Sequence, residues 1–270
     1  MSGGTATSTT ATAAARRSLL SRMTLYHLLL FFALLLAWHF LVQLTILPAF
    51  FFGEPIKVFA QIWRWFAGGT IYGHLGVTLL ETLLAFFIGL VIGVAGGLWL
   101  GLSRNAAFLL DPYIKALNAM PRVILGPIFV VWFGLGILSK VMLGVTLVFC
   151  IVFFNVFQGV REVSPNILAN ARMLGASNRQ LLRSVYLPSA TSWVFSSLHT
   201  SVGMAFVGAV IGEYLGSVKG VGYLILQAES VFDINSVFAG IIVLTLFALV
   251  LDACVGAIEK RLMVWRPVAQ

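Results

Sequence analysis

The sequence predicts an all-α integral membrane protein of about six transmembrane helices, and three observations carry that prediction. Hydrophobic residues make up 60% of the chain and charged residues only 10%, whereas about a quarter of the residues of an average soluble protein are charged. The mean hydropathy is +1.01. Several apolar runs reach the ~18–20 residues that a bilayer-spanning helix needs, and none has the ~10-residue alternating segments of an outer-membrane barrel.

The chain opens with MSGGTATSTTATAAA. These small, polar residues have nothing to bury, so residues 1–22 are expected to form a disordered cytoplasmic tail. Arg16, Arg17 and Arg22 ahead of an apolar run resemble the start of a signal peptide. The run is long, however, ends in LTILP without a small-residue cleavage site, and is followed by more spans. It is therefore expected to stay as a first transmembrane helix over residues 23–47, apolar from Leu25.

Residues 48–74 are expected to form a periplasmic turn bracketed by Pro48 and Pro55, followed by an amphipathic helix. Lys57, Gln61 and Arg64 fall at helical spacing opposite Val58, Phe59, Ile62, Trp63 and Phe66, and Trp63 and Trp65 suit the headgroup level. From residue 75 to 266 the pattern is that of one membrane-embedded core, with residues 267–270 as a short tail.

In the second span, residues 75–102, Gly89, Gly93, Gly97 and Gly101 recur every four residues. One helix face is thus almost bare, and another helix can approach closely there, as small-residue faces allow in lipid. Glu81 is a costly intramembrane charge unless it is paired or near the surface; Lys140 and Arg122 are both candidate partners. The third span, about 107–133, is broken by Pro112 and Pro121 and carries Lys115, Asn118 and Arg122. Its freed backbone groups need protein or water around them. The fourth, 141–160, contains Asn155 and Gln158. The fifth, 187–211, opens with Ser189, Ser192, Ser196, His199, Thr200 and Gly203 on one stripe, which either bonds to neighbouring helices or lines a solute path. The sixth covers 237–258.

The net charge of +8 reads as topology rather than as affinity for nucleic acid. With the amino terminus in the cytoplasm, Arg16, Arg17, Arg22, Arg104, Arg161, Arg172, Arg179, Arg183, Lys260, Arg261 and Arg266 all lie inside, against Lys57, Arg64, Lys140 and Lys219 outside. This is the positive-inside bias. Cys150 and Cys254 fall within spans as small apolar residues, and the four histidines have no ligand spacing, so no disulfide or metal site is expected. No GxxxxGK[ST] loop and no nucleophile constellation is present, so no catalytic residue and no nucleotide site are expected on this chain.

Between the fourth and fifth spans lies a polar, arginine-bearing segment, ANARMLGASNRQLLRSVYLP from Ala169 to Pro188, inside a cytoplasmic stretch of residues 161–188. Leu174, Gly175, Ala176, Ser177 and Leu181 also have the look of a helix-turn-helix, but too few residues separate Val160 from Leu187 for a DNA-binding domain between membrane helices. The order Ala171, three residues, Gly175, nine residues, Val185, one residue, Leu187-Pro188 resembles the EAA motif of permease subunits in bacterial ABC importers. The runs LPAFFFGEPIKVF, LLDPYIKALNAMPRVILGPIFVVWFGLG, GEYLGSVKGVGYLILQA and LDACVGAIEKRL are similar to the nitrate, taurine and sulfonate permease subfamily, so that the likeness spans residues 48–265. The motif's opening Glu-Ala is replaced by Ala169 and Asn170, so its acidic residue is missing.

The resemblance implies a type I importer permease fold in a bacterial inner membrane. It implies two ATPase subunits that hold ATP and Mg, a second copy of the permease, and a periplasmic or lipid-anchored solute-binding protein that delivers a small, anionic solute. Coupling to the ATPase would fall to Ala171, Arg172, Gly175, Ala176, Leu187 and Pro188, with Gly175 at the turn because glycine tolerates positive φ. Asn118, Arg122, Ser192, Ser196, His199 and Thr200 are the candidate lining of the translocation path. The alternative, a secondary transporter of small solutes, lacks an obvious carboxylate relay in the spans.

Overall fold

The computed structural model describes residues 6–262, and every regular element among them is helical. In chain order these are α1 (Ala6–Gln43), α2 (Ala49–Phe52), α3 (Pro55–Ala67), α4 (Thr70–Leu102), α5 (Arg104–Ala119), a 3-10 turn (Arg122–Leu125), α6 (Gly126–Phe133) and α7 (Ile137–Arg161). Then come α8 (Pro165–Met173), α9 (Asn178–Leu181), a π-helical turn (Leu182–Tyr186), α10 (Leu187–Ser196), α11 (Leu198–Leu215), α12 (Val221–Ser230) and α13 (Ile234–Leu262). Among the described residues five helices are long and apolar enough to cross a membrane: α1 over Leu25–Gln43, α4, α7, α11 and α13 over Ile234–Glu259. The α5 and Arg122–Phe133 pair, bent by 85°, makes the sixth.

Three expectations need correcting. Helix α1 starts at Ala6, so residues 6–22 continue the first membrane helix instead of forming a disordered tail; residues 1–5, and the 267–270 tail, lie outside the described residues. Ala11, Ala13, Ala14, Ala15, Arg16 and Arg17 are good helix formers, and extending an existing helix needs no new nucleus. Pro112 does not break the third span, since α5 carries it inside. The break falls at Pro121, where Met120 is held extended at φ −73, ψ 129, as the residue before a proline is. The fifth span is not continuous either: Ser197 (φ −95, ψ 0) separates α10 from α11, and its hydroxyl donates to Val194 O at 2.9 Å, a local bond that competes with the helical ladder.

Helix α7 is the centre of the bundle and is largely buried, whereas the Leu25–Gln43 span of α1 is nearly all exposed. The four-residue glycine repeat of α4 explains how α7 is covered. A Cβ added at Gly89, Gly93, Gly97 or Gly101 would lie 2.7 or 2.8 Å from Val148, Val152, Val156 and Val160 respectively. The two helices thus interlock as bare face against β-branched ridge, with close van der Waals contact as the attraction available in lipid. On another side α11 closes on α7 where Gly208 meets Gly144, a Cβ at Gly208 falling 2.5 Å from Gly144 Cα. A second core of Ile71, Val221, Val243 and Leu244, with Ile62, Trp65 and Leu224 against it, joins α3, α4, α12 and α13. Trp65 is therefore packed inside that junction, while Trp63 stays exposed as an anchor at the headgroup level requires.

Candidate functional site

The connection between α7 and α11 is built by backbone chemistry that its sequence dictates. Ser164 precedes Pro165, which starts α8 with φ already suited to a helix. At the other end Gly175 sits at φ +81, its N–H donates to Arg172 O at 2.9 Å, and the Ala176 N–H donates to Ala171 O at 3.0 Å. These two bonds are the Schellman closure of a helix, with glycine at the left-handed position. The spacing from Ala171 to Gly175 is thus the spacing of that closure. Ser177 then starts α9 with a reciprocal cap: its backbone N–H donates to Gln180 Oε1 at 2.8 Å, and its Oγ accepts the Gln180 N–H at 3.3 Å.

Pro188 has no N–H to give the next turn of α10, and the ladder widens just before it into the π turn, where the Leu187 N–H reaches Leu182 O. Leu181 is buried. The tip is the opposite. Met173 and Leu174, beside the glycine, are 86% and 89% exposed, and a groove of about 240 Å³ beneath them is lined by Ala171, Gly175, Ala176, Gln180, Ser184 and Val185. Two bare apolar side chains on a polar turn form a knob that awaits a surface to cover it. Sequence reasoning singled out the glycine and alanines for docking, took Leu174 only as part of a helix-turn-helix spacing and passed over Met173; the place of both in the Schellman turn was the available signal.

The candidate path residues fall into separate groups. Asn118 and Arg122 come together at the bend between α5 and α6, where Arg122 Nη2 donates to Asn118 Oδ1 at 3.0 Å. The Arg122 Nε is buried without a hydrogen-bond partner. Ser196 and Thr200 lie exposed, and Ser192, half-buried, donates to Pro188 O at 3.3 Å. The opposite face of the same stretch, with Ala190, Ser197, Ser201, Ala205 and Gly208, is buried. His199 is turned to α13: its Nδ1 lies 3.0 Å from Asp252 Oδ1 and its Nε2 2.6 Å from Glu259 Oε2. Asp252 and Glu259 are two turns apart on one face of an apolar helix, a pattern legible in the sequence that was not used.

Glu81 has its answer too. Of its two candidate partners, Lys140 shares its surroundings, and the two meet Glu213 in a fully buried cluster near one end of α4, α7 and α11. Arg122 is at the α5–α6 bend instead.

Comparison with known proteins agrees with the sequence resemblance. The model of the family described as binding-protein-dependent transport system inner membrane component matches residues 85–264. A Bacillus subtilis (strain 168) permease protein assigned to aliphatic sulfonates transport is 32% identical over 225 residues, covering 83% of this chain and 80% of its own. The taurine transport system permease protein of Escherichia coli (strain K12) is 29% identical, over 86% of each chain. In three dimensions the chain is similar to the inward-facing MetNI methionine ABC transporter, with a TM-score of 0.60 at 18% identity, covering 70% of this chain and 94% of that one. The broken third span, the closure at Gly175 and these matches lead to one conclusion: the chain belongs to the binding-protein-dependent transport system inner membrane component family, as a permease subunit of an ABC importer in the sulfonate and taurine subfamily.

Proposed function

We propose that residues 169–182 are the seat of an ATPase subunit on this permease, and that ATP and Mg are held by that partner. The observation that carries this reading is the Met173–Leu174 knob, 86% and 89% exposed at the tip of a rigidly closed polar turn. Shape and apolar contact would then replace the acidic residue missing at Ala169, with Ala171, Arg172, Gly175 and Ala176 forming the docking surface. Leu187 and Pro188 set the angle at which the segment leaves the membrane. The excess of arginine on this side supports a cytoplasmic amino terminus.

A second copy of the chain completes the translocation path. No residue of α5 is buried, and Phe108, Leu109 and Tyr113 there, with Val131 and Trp132 of α6, lie exposed. An apolar face of that extent suits lipid or a partner helix rather than water, and the second copy is what the family likeness implies. The path is lined by Asn118, Arg122, Ser192, Ser196, His199 and Thr200, and Arg122 gives it a positive charge for a small anion such as a sulfonate or taurine. The aliphatic sulfonates and taurine for which the two relatives are named favour that class. A periplasmic or lipid-anchored solute-binding protein delivers the solute.

Reconstitution tests this directly. The purified permease alone hydrolyses no ATP, and the complex with two ATPase subunits gains sulfonate-stimulated hydrolysis when the loaded binding protein is added. Intact-complex mass giving one copy of this chain beside a different permease overturns the homodimer. Solute uptake that persists without ATPase subunits, driven by a proton gradient, overturns the ATP-driven reading in favour of a secondary transporter.

A further inference from the structure

Three ionisable side chains are buried together inside the helix bundle: Glu81 of α4 at 1% exposure, Lys140 of α7 at 0% and Glu213 of α11 at 0%. Glycines allow them to meet. A Cβ at Gly212 would lie 2.9 Å from Lys140 Cα, and one at Gly222 would lie 2.6 Å from Val210 O and 2.9 Å from Glu213 Cβ. The three helices and the start of α12 therefore close tightly around the charges, near the outer ends of the helices in the orientation proposed above.

The hydrogen bonds are shared unequally. Glu213 is served as an anion: Oε2 accepts from the Gly222 N–H at 2.7 Å, and Oε1 accepts from Thr78 Oγ1 at 2.6 Å, a shorter contact than the 3.1 Å from that hydroxyl to His74 O. Thr78 also accepts the Val221 N–H at 3.2 Å, so one hydroxyl ties α4 to both α11 and α12. Lys140 gives its Nζ to Leu135 O at 2.5 Å and Gly136 O at 2.9 Å. Glu81 is buried one helical turn from Thr78, the α4 residue that bonds to Glu213, yet its Oε2 has no donor. A second carboxylate anion in that place would face a like charge, lack a donor, and leave two negative charges for one ammonium, which burial penalises heavily. The other titratable groups at this end are His74, whose Nδ1 accepts the Gly220 N–H at 3.1 Å, and Tyr223 of α12, stacked on the His74 ring.

We propose that the Glu81–Glu213 pair is a proton-binding site: one proton, taken up from water, sits on Glu81 and is donated to the Glu213 carboxylate. With Lys140 the cluster then has zero net charge, and it locks the outer ends of α4, α7, α11 and α12 into one body. A close pair of carboxyl groups can make a hydrogen bond between themselves only through such a proton. Glu81 is the group that carries it, because both Glu213 oxygens already accept from other donors.

The test uses the assembled importer in nanodiscs. Infrared spectra of the wild type contain the carbonyl-stretch band of a buried protonated carboxyl, and that band is lost in Glu81→Gln. Melting temperature is read alongside. Glu81→Gln, which mimics the protonated form, melts with the wild type at neutral pH and keeps its melting temperature at alkaline pH, where the wild type falls as the proton is stripped. Glu213→Gln, which removes the anion that Thr78 and Gly222 serve, melts lower at every pH. A wild-type spectrum without the protonated band overturns the proposal. So does Glu81→Gln destabilising as much as Glu213→Gln, which would make Glu81 an anionic partner of Lys140, and so does stabilisation by sodium ions that Glu81→Gln abolishes. Should Glu81→Gln fail to assemble, the wild-type spectrum alone decides.

Discussion

Replacing Gly175 isolates a conformational effect, because a Cβ at this position would meet nothing within 4 Å while the backbone stands at φ +81. Gly175→Val therefore creates no clash, and its effect comes from the left-handed conformation, which costs a residue with a Cβ about 1–2 kcal/mol. If the chain escapes that cost by leaving φ positive, it gives up the bonds from Gly175 N–H to Arg172 O and from Ala176 N–H to Ala171 O. Each is worth about 1 kcal/mol net, so either route disfavours the closed turn by about 1–2 kcal/mol, a 5- to 30-fold loss in its population. In proteoliposomes holding the whole importer, ATP-driven uptake by Gly175→Val is expected to fall by that factor while expression and membrane insertion are unchanged. Gly175→Ala falls less, lacking the β-branch, and Gly175→Asn stays near wild type because asparagine tolerates the left-handed region. Equal uptake by all three variants refutes the reasoning. A Gly175→Asn as poor as Gly175→Val would mean that side-chain bulk, rather than backbone geometry, is what the docking surface rejects.

Gly97→Leu forces a side chain where a Cβ alone would stand 2.8 Å from Phe153 O and Val156 Cβ; a loss of about 1–3 kcal/mol is expected, read as a lower melting temperature of the complex, whereas Gly76→Leu, with open space around it, leaves it unchanged. Arg122→Ala is expected to impair uptake of an anionic solute with assembly intact, and lost assembly would make Arg122 structural. Cysteines at Ser196 and Thr200, in a Cys254→Ser background because Cys254 is exposed, are expected to react with water-soluble thiol reagents; no labelling in any nucleotide state would mean that this stripe faces lipid or another helix.

The spans were legible because hydropathy over ~20 residues is a strong signal, and the face of Gly89, Gly93, Gly97 and Gly101 was legible because only the spacing of bare positions is needed to expect close packing. What the glycines pack against was not: Val148, Val152, Val156 and Val160 are ordinary apolar residues of a span until α7 is placed beside α4. The breaks were harder. Pro112 and Pro121 look alike in sequence, and only Pro121 interrupts a helix, because proline is tolerated wherever neighbours satisfy the freed carbonyl. Ser197 carried no sequence warning at all. The site shows the same division. Local chemistry fixed the turn at Gly175, while the cluster of Glu81, Lys140 and Glu213 depends on three helices distant in sequence, and nothing local to Glu213 marks it as a member.

The central claim is that the tip of the α8–α9 turn sits in a groove on an ATPase subunit, and proximity measures it most directly. Leu174→Cys in the Cys254→Ser background, combined in the assembled importer with single cysteines along the ATPase groove, is expected to form a disulfide cross-link whose yield changes with bound nucleotide. Tyr72→Cys, from the exposed start of α4 at the other end of the helices, is expected to form none. Absence of any Leu174→Cys cross-link across all groove positions and nucleotide states, in complexes that still transport, would contradict the account.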